Sequence, residues 1–426
     1  MDIYLGLGSN LGDRRRNIAT AVAALARDGV AILALSPAVE SPAMLPPAAP
    51  ADWNRPFLNA VARCATTLSP EALLDRAKGI EAELGRETGA RWAPRQIDID
   101  ILLWGRELIR TPRLEVPHPG ITERGFVLAP LAALAPRLTI PGRGPKTVLA
   151  FSRALRHRIP LWMGIVNLTP DSFSDGGELT DPGRLAAHLD AMLEAGVQLV
   201  DLGAESTRPG AAPLDAQAEW ARLEPALVML LDRLESVPLR PLVSIDTHHA
   251  DVARRALEAG ADVINDVSGL AAPDMLELAV GSDKDWVAMH SLTVPADPAV
   301  TLPANREPAA CLREWVDGRL ETWARAGIGL DRVIFDPGIG FGKTPLQSLA
   351  LLRDVAAFTP PELRLLVGHS RKSFMKSFAG GPRAERDLVT VGASLNLCAQ
   401  GVDILRVHDV PAHAAAYRGW THLLPV

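Results

Sequence analysis

The chain has 426 residues, 48% of them hydrophobic, enough to bury two cores when a domain takes roughly 100–200 residues. A formal net charge of -6 excludes a general nucleic-acid binder, which needs a surplus of Lys and Arg. Cys64, Cys311 and Cys398 are too dispersed for a disulfide framework or a CxxC metal site. With no basic leader at Met1 and no apolar run of the roughly 18 residues a membrane span requires, they read as buried thiols of a cytoplasmic protein with no membrane and no nucleic-acid partner.

In chain order, residues 2–8 alternate as a strand, and residues 13–27 place Ile18, Val22, Leu25 and Ala26 at helical spacing. Strands follow at 30–35 and 57–65, a helix at 70–84 and a fourth strand at 96–104. This mixture predicts an α+β domain, a ferredoxin-like sandwich, over residues 1–145. The run Gly6-Leu7-Gly8-Ser9-Asn10-Leu11-Gly12 has its third Gly one residue late for GxGxxG, so it reads as a strand-to-helix turn. In Gln96-Ile97-Asp98-Ile99-Asp100-Ile101, strand period sets Asp98 and Asp100 on one face and the three isoleucines on the other. Such a pair suits Mg2+, although two acids on a solvated strand face would give the same pattern. Arg86, Arg91, Arg95, Arg113, Arg124 and His118 add the cations that phosphoryl transfer needs around it.

A breaker cluster at 135–145 and a possible short basic helix at 151–158 suggest a linker at 146–160. Residues 161–426 then alternate between strand-like runs and helical patterns. Strands are expected at 161–167, 198–203, 241–246, 262–266, 286–290, 332–336, 364–368 and 403–407. Helices are expected at 185–195, 216–234, 250–259, 274–280, 309–326, 347–356, 388–399 and 412–419. Eight βα units in about 265 residues have the size of an α/β TIM (β/α)8 barrel, whose chemistry sits where strands end. Those ends carry Asn167, Glu205, Asp246, Asn265, His290, Asp336, Lys372, Arg406 and His408. Asp246, Asn265 and Asp336 suit a flat heterocycle rich in N–H groups, while Arg406, His408 and Lys372 suit an anion. Gly342-Lys343-Thr344 resembles the end of a phosphate loop, but Pro337 stands where its first Gly belongs, so a P-loop is not expected.

Two family resemblances follow from these motifs. Gly8-Ser9-Asn10-Leu11-Gly12, Phe57-Leu58-Asn59-Ala60, the segment from Arg91 through Asp100, and Val116-Pro117-His118 with Arg124-Gly125-Phe126 resemble hydroxymethyldihydropterin pyrophosphokinase. That resemblance implies that Asp98 and Asp100 hold two Mg2+ ions and that Arg86, Arg95 and His118 contact the phosphates of ATP, with Arg113 and Arg124 completing the nucleotide side. It also implies that Asn59, Phe57 and Phe126 grip the pterin, and that Trp92 and Arg95 belong to a closing loop.

The stretch from Met163 through Gly177, Glu205-Ser206-Thr207-Arg208-Pro209-Gly210, Ser244-Ile245-Asp246-Thr247, Ile264-Asn265-Asp266, Asp336-Pro337-Gly338, the segment from Gly368 through Ser373, and Arg406-Val407-His408 resemble dihydropteroate synthase. The resemblance implies that Asp246, Asn265, Asp336 and Lys372 bind the pterin. Asn167, Arg406 and His408 would hold pyrophosphate with Mg2+, and Thr207, Arg208 and Ser370 would shape a p-aminobenzoate site. It further implies a homodimer through the barrel. Two other readings stay open at this point: a related pterin-binding barrel that moves a methyl group, and a first domain that binds or assembles without catalysing.

Overall fold

A computed structural model describes the chain except residues 87–91, 157, 170–178, 180, 207–212, 378–381 and 424–426, and the side chains of 383 and 384. The chain divides into two compact units, one essentially Met1–Ile159 and the other essentially Pro160 onward. No helix among the described residues is long and apolar enough to cross a membrane.

In the first unit β1 (Ile3–Ser9) leads to α1 (Arg14–Arg27), β2 (Val30–Leu35), β3 (Val39–Ser41), β4 (Phe57–Thr66), α2 (Pro70–Glu83) and β5 (Asp98–Trp104). The short β6 (Ile109–Arg110) and β7 (Glu115–Val116), then α3 (Gly125–Leu134) and α4 (Val148–Ala154), complete it. The sheet order is β2-β4-β1-β5, with β3 on β4 and every pairing antiparallel, the ferredoxin-like arrangement expected. Local signals set the helices: the Asp13 side chain caps α1 and that of Ser69 caps α2. On one sheet face Ile3, Leu5 and Leu7 join Ile99 and Ile101 against Ile18, Leu25, Leu73 and Ile80 of the two helices. On the other, Tyr4, Val61 and Leu102 pack on Leu128 and Leu131 of α3 and Val148 and Leu149 of α4. The segment expected as a linker therefore carries a helix whose first residues are core of this unit. Each such buried aliphatic side chain stabilises the fold by about 1.5–3 kcal/mol.

The second unit runs β8 (Leu161–Asn167), α5 (Pro182–Glu194), β9 (Leu199–Gly203), α6 (Ala216–Glu235), β10 (Leu242–Asp246), α7 (Ala250–Ala259), β11 (Val263–Asp266) and α8 (Pro273–Gly281). It continues β12 (Asp285–Met289), α9 (Pro308–Ala326), β13 (Val333–Asp336), α10 (Pro345–Arg353), β14 (Arg364–Val367), α11 (Arg383–Gln400), β15 (Ile404–Val407) and α12 (Val410–His422). The strands β8 to β15 close in sequence order into a parallel barrel, the TIM architecture the alternation predicts. Side chains of Asp181, Asp215, Thr344 and Asp409 accept backbone N–H bonds at the starts of α5, α6, α10 and α12, so these four helices are begun by local sequence.

Candidate active sites

Asn59, Gly8 and Asp98 stand opposite one another across β4, β1 and β5, and Val61, Gly6 and Asp100 form the next row. Residues paired across antiparallel strands project to the same face. Both acids therefore share a face with Asn59, and the two glycines between them leave it bare. A Cβ on Gly8 would lie 3.4 Å from Asn59 Oδ1 and 3.6 Å from the Phe57 ring. Helices α3 and α4 cover the neighbouring part of this face, so a cavity of 540 Å3 remains above the two rows. The rings of Phe57, Trp92 and Phe126 and the amide of Asn59 line it. Arg86, Arg95 and Arg124 line it too, beside both acids.

The polar groups are fixed by bonds. Asn59 Nδ2 donates to Ser41 Oγ at 3.0 Å, which orients its amide. Arg86 donates to Asp98 Oδ1 at 2.6 Å and Arg95 to Asp98 Oδ2 at 3.1 Å. Arg95 is further tied by its backbone N–H to Asn10 Oδ1 at 2.8 Å. Burial opposes the charge of Asp98, but Arg95, Arg86 and Lys78 outweigh it and hold its carboxyl below the ordinary value. Asp100 makes no such ion pair among the described residues: burial, then the charge of Asp98, push its carboxyl up against the weaker pull of Lys78, Arg124 and Arg95. Two adjacent carboxylate donors, one of them pushed up by burial and by its neighbour's charge, fit a hard divalent cation. The arginines beside them meet the charge of phosphates.

His118 is half-buried, with Nδ1 accepting from the Gly120 N–H at 3.1 Å; burial and Arg124 lower its pKa. It does not line the cavity. Arg113 lies exposed on Asp75, also outside the cavity lining. Sequence reading missed Glu81. Wholly buried on α2, it accepts from the Ile99 N–H at 2.7 Å and from Lys78 at 2.8 Å, and bonds Arg86. A charge on the same stripe as Leu73, Ala77 and Ile80 was the signal that could have found it.

At the C-terminal rim of the barrel strands, Arg406 sits between two acids. Its Nε donates to Asp201 Oδ2 at 2.6 Å and its Nη2 to Asp246 Oδ2 at 2.7 Å. Asp201 also receives Asn265 Nδ2 at 3.2 Å and Ser244 Oγ at 2.6 Å. Thus Asp246, Asn265 and Arg406 are brought together through a carboxylate that strand-end reasoning did not select. Burial works against the guanidinium, yet Asp201 and Asp246 hold it charged; burial raises Asp246, with Arg406 opposing. Asp336 accepts the Gly338 N–H at 2.7 Å, and burial raises its pKa against the pull of Lys372. The Lys372 ammonium bonds the Ile339 carbonyl and stands 4.8 Å from the Phe341 ring centroid.

His408 Nδ1 is 2.9 Å from Ser370 Oγ, so the hydroxyl expected beside p-aminobenzoate is joined to the imidazole expected beside pyrophosphate. Asn167, half-buried, ends β8 opposite Gly203 and offers one neutral amide oxygen, a fitting but weak donor for Mg2+. Thr207 and Arg208 lie outside the described residues, as do the loop residues 170–177. The rejected phosphate loop buries Lys343, whose Nζ is 2.8 Å from His290 Nδ1 and donates to Phe341 O at 2.8 Å. Burial lowers Lys343 to about 7, and burial with Lys343 lowers His290 to about 3.

Comparison with known proteins assigns both halves. Residues 4–136 match the family described as 7,8-dihydro-6-hydroxymethylpterin-pyrophosphokinase, and residues 163–408 match the pterin binding enzyme family. A folate synthesis bifunctional protein of Chlamydia muridarum is 38% identical, covering 98% of each chain. Among solved structures, the Yersinia pestis dihydropteroate synthase in a sulfonamide drug complex superposes with a TM-score of 0.57 at 35% identity, over 61% of this chain and 92% of that one. The Xanthomonas albilineans dihydropteroate synthase with 4-aminobenzoic acid gives 0.56 at 33% identity, over 62% and 94%.

Proposed function

Since the chain belongs to the bifunctional folate synthesis family, a pyrophosphokinase followed by a dihydropteroate synthase, we propose a division of labour among its residues for the two steps. The enzyme is a transferase. Its first half uses ATP as substrate to pyrophosphorylate 6-hydroxymethyl-7,8-dihydropterin, and its second joins the product to p-aminobenzoate with release of pyrophosphate.

In the first half Asn59, Phe57 and Phe126 hold the pterin, and Trp92 screens the reactants from water. Arg86, Arg95 and Arg124 carry the positive charge that the ATP phosphates need, with His118 and Arg113 on the nucleotide side. The pterin hydroxyl attacks phosphorus in line and AMP leaves. In the second half Asp246, Asn265, Asp336 and Lys372 grip the pterin, and Asn167, Arg406 and His408 take the pyrophosphate, with Ser370 orienting His408. The C–O bond to pyrophosphate breaks as the amine of p-aminobenzoate bonds the pterin methylene and loses a proton; Thr207, Arg208 and Ser370 shape its site. Mg2+, held by Asp98 and Asp100 in one half and Asn167 in the other, would supply Lewis-acid neutralisation of the phosphate oxygens.

The single observation that supports the reading is the register row Asn59, Gly8, Asp98, since the Asn59 amide and the Asp98 carboxylate line one cavity. The reading in which only the barrel is catalytic is not favoured, because the first half matches the pyrophosphokinase family and retains this row. Three buried free thiols support a reducing cytoplasm, and a homodimer through the barrel is our proposal for the assembly, to be checked by light scattering. The test of function has two arms. Hydroxymethyldihydropterin with ATP and Mg2+ should yield AMP, and pterin pyrophosphate with p-aminobenzoate should release pyrophosphate. Absence of the second product would favour methyl transfer.

A further inference from the structure

The barrel rim holds a second cluster to which the roles above assign nothing. Glu205 follows β9, His248 and His249 follow β10, and Glu219 lies in the first turn of α6. His248 Nε2 is 3.0 Å from Glu205 Oε2, and His249 Nε2 is 3.5 Å from the same oxygen. One donor atom each from Glu205, His248 and His249 fall within 4.8 Å of one another. Glu219 Oε2 lies 3.9 Å from His249 Nε2 and accepts from Thr247 Oγ1 at 3.0 Å. Glu219 is fully buried, and its Oε1 has no hydrogen-bond partner among the described residues. Among the described residues this buried oxygen has no donor, which leaves it open to a further partner.

We infer that Glu205, His248 and His249, with Glu219 beside them, form a binding site for a divalent transition cation of the Zn2+ class. Zinc takes imidazole nitrogen and carboxylate oxygen at about 2.0–2.2 Å, so neighbouring donors on its tetrahedron stand about 3.3–3.6 Å apart. The His249 separation of 3.5 Å falls within that edge and the His248 separation of 3.0 Å lies a little below it. Two imidazoles select Zn2+, Co2+ or Ni2+ over Mg2+, which prefers oxygen throughout, so this site is chemically distinct from the acid pair of the first half. Both histidines are 25% exposed, which leaves them open to an ion from solvent. Metal-free, the cluster satisfies itself with protons: His249 Nε2 also lies 3.1 Å from the Leu214 carbonyl. Loading displaces a proton there, and the bound ion links the segments that follow two adjacent strands.

The test uses the full chain, stripped with chelator and kept in excess Mg2+, titrated with Co2+ as a coloured stand-in for Zn2+. The site predicts one equivalent of Co2+ with visible absorption bands, bleached by Zn2+, and loss of that equivalent in a His248→Gln, His249→Gln double variant. Equal uptake by wild type and variant, or no uptake by wild type, overturns the inference. Should the double variant fail to fold, wild type alone decides: Zn2+ must protect both histidines from diethyl pyrocarbonate, read by peptide mass spectrometry, and undiminished modification overturns it.

Discussion

Asp201 gathers Arg406, Asn265 and Ser244 on one wholly buried carboxylate, and through Arg406 it reaches Asp246. Removing one partner of a buried ion pair costs about 3–5 kcal/mol. Asp201→Asn should therefore destabilise the barrel by that order in urea denaturation and weaken pterin pyrophosphate binding in calorimetry, with AMP formation unchanged. The charge was visible inside the apolar run Leu199–Gly203. It escaped because strand ends were searched, whereas period two turns Asp201 to the same side as Gly203, two residues earlier. Lys343 makes a pH prediction. Its folded pKa, about 7, is depressed from 10.5 by burial, so between those values the unfolded chain binds more protons and stability rises with pH, the dependence levelling off below 7 where both states are protonated. In Lys343→Met the slope, at most about 1.4 kcal/mol per pH unit for one proton, should vanish from denaturation midpoints measured over that window.

Among elements, the loop from β13 to α10 is tightly constrained. Gly338 has φ +61°, its N–H holds Asp336, and a Cβ there would fall 1.9 Å from the His290 carbonyl oxygen. Gly338→Ala should lower dihydropteroate formation at least ~10-fold by moving Asp336, while leaving AMP formation intact; steady-state assays of both halves decide it. The segment between β12 and α9 is pinned to the end of this loop and the first turn of α10, with the Leu302 N–H on Gly342 O at 2.9 Å and its carbonyl accepting from Gln347 Nε2 at 2.9 Å. The principal strands and helices were legible because their periodicities of 2 and 3.6 are set locally. Several elements were not read correctly, the two-residue β6 and β7 among them. Gly125–Leu134 is apolar almost all round, so α3 shows no stripe; β3 is three residues that exist only through pairing with β4; and α4 begins at the Thr147 cap, earlier than its basic residues suggested. The acid pair was legible for the same local reason, but the bare face between it and Asn59 depends on strand order, which no local pattern encodes.

At the scale of the whole chain, two units carry consecutive reactions, and the product of the first is the substrate of the second. Each can be disabled alone, since the residues proposed for one step are confined to one unit. Losing the paired Asp98 should lower the first step by ~10²-fold or more, as removal of a charge-stabilising group does. The decisive measurement is dihydropteroate formation by wild type and Asp98→Ala, from hydroxymethyldihydropterin with ATP, Mg2+ and p-aminobenzoate, and separately from pterin pyrophosphate with p-aminobenzoate. The account predicts that wild type turns over both mixtures and that the variant turns over only the second, at the wild-type rate. A variant that converts the first mixture as fast as wild type, or a wild type that converts it not at all, would contradict it.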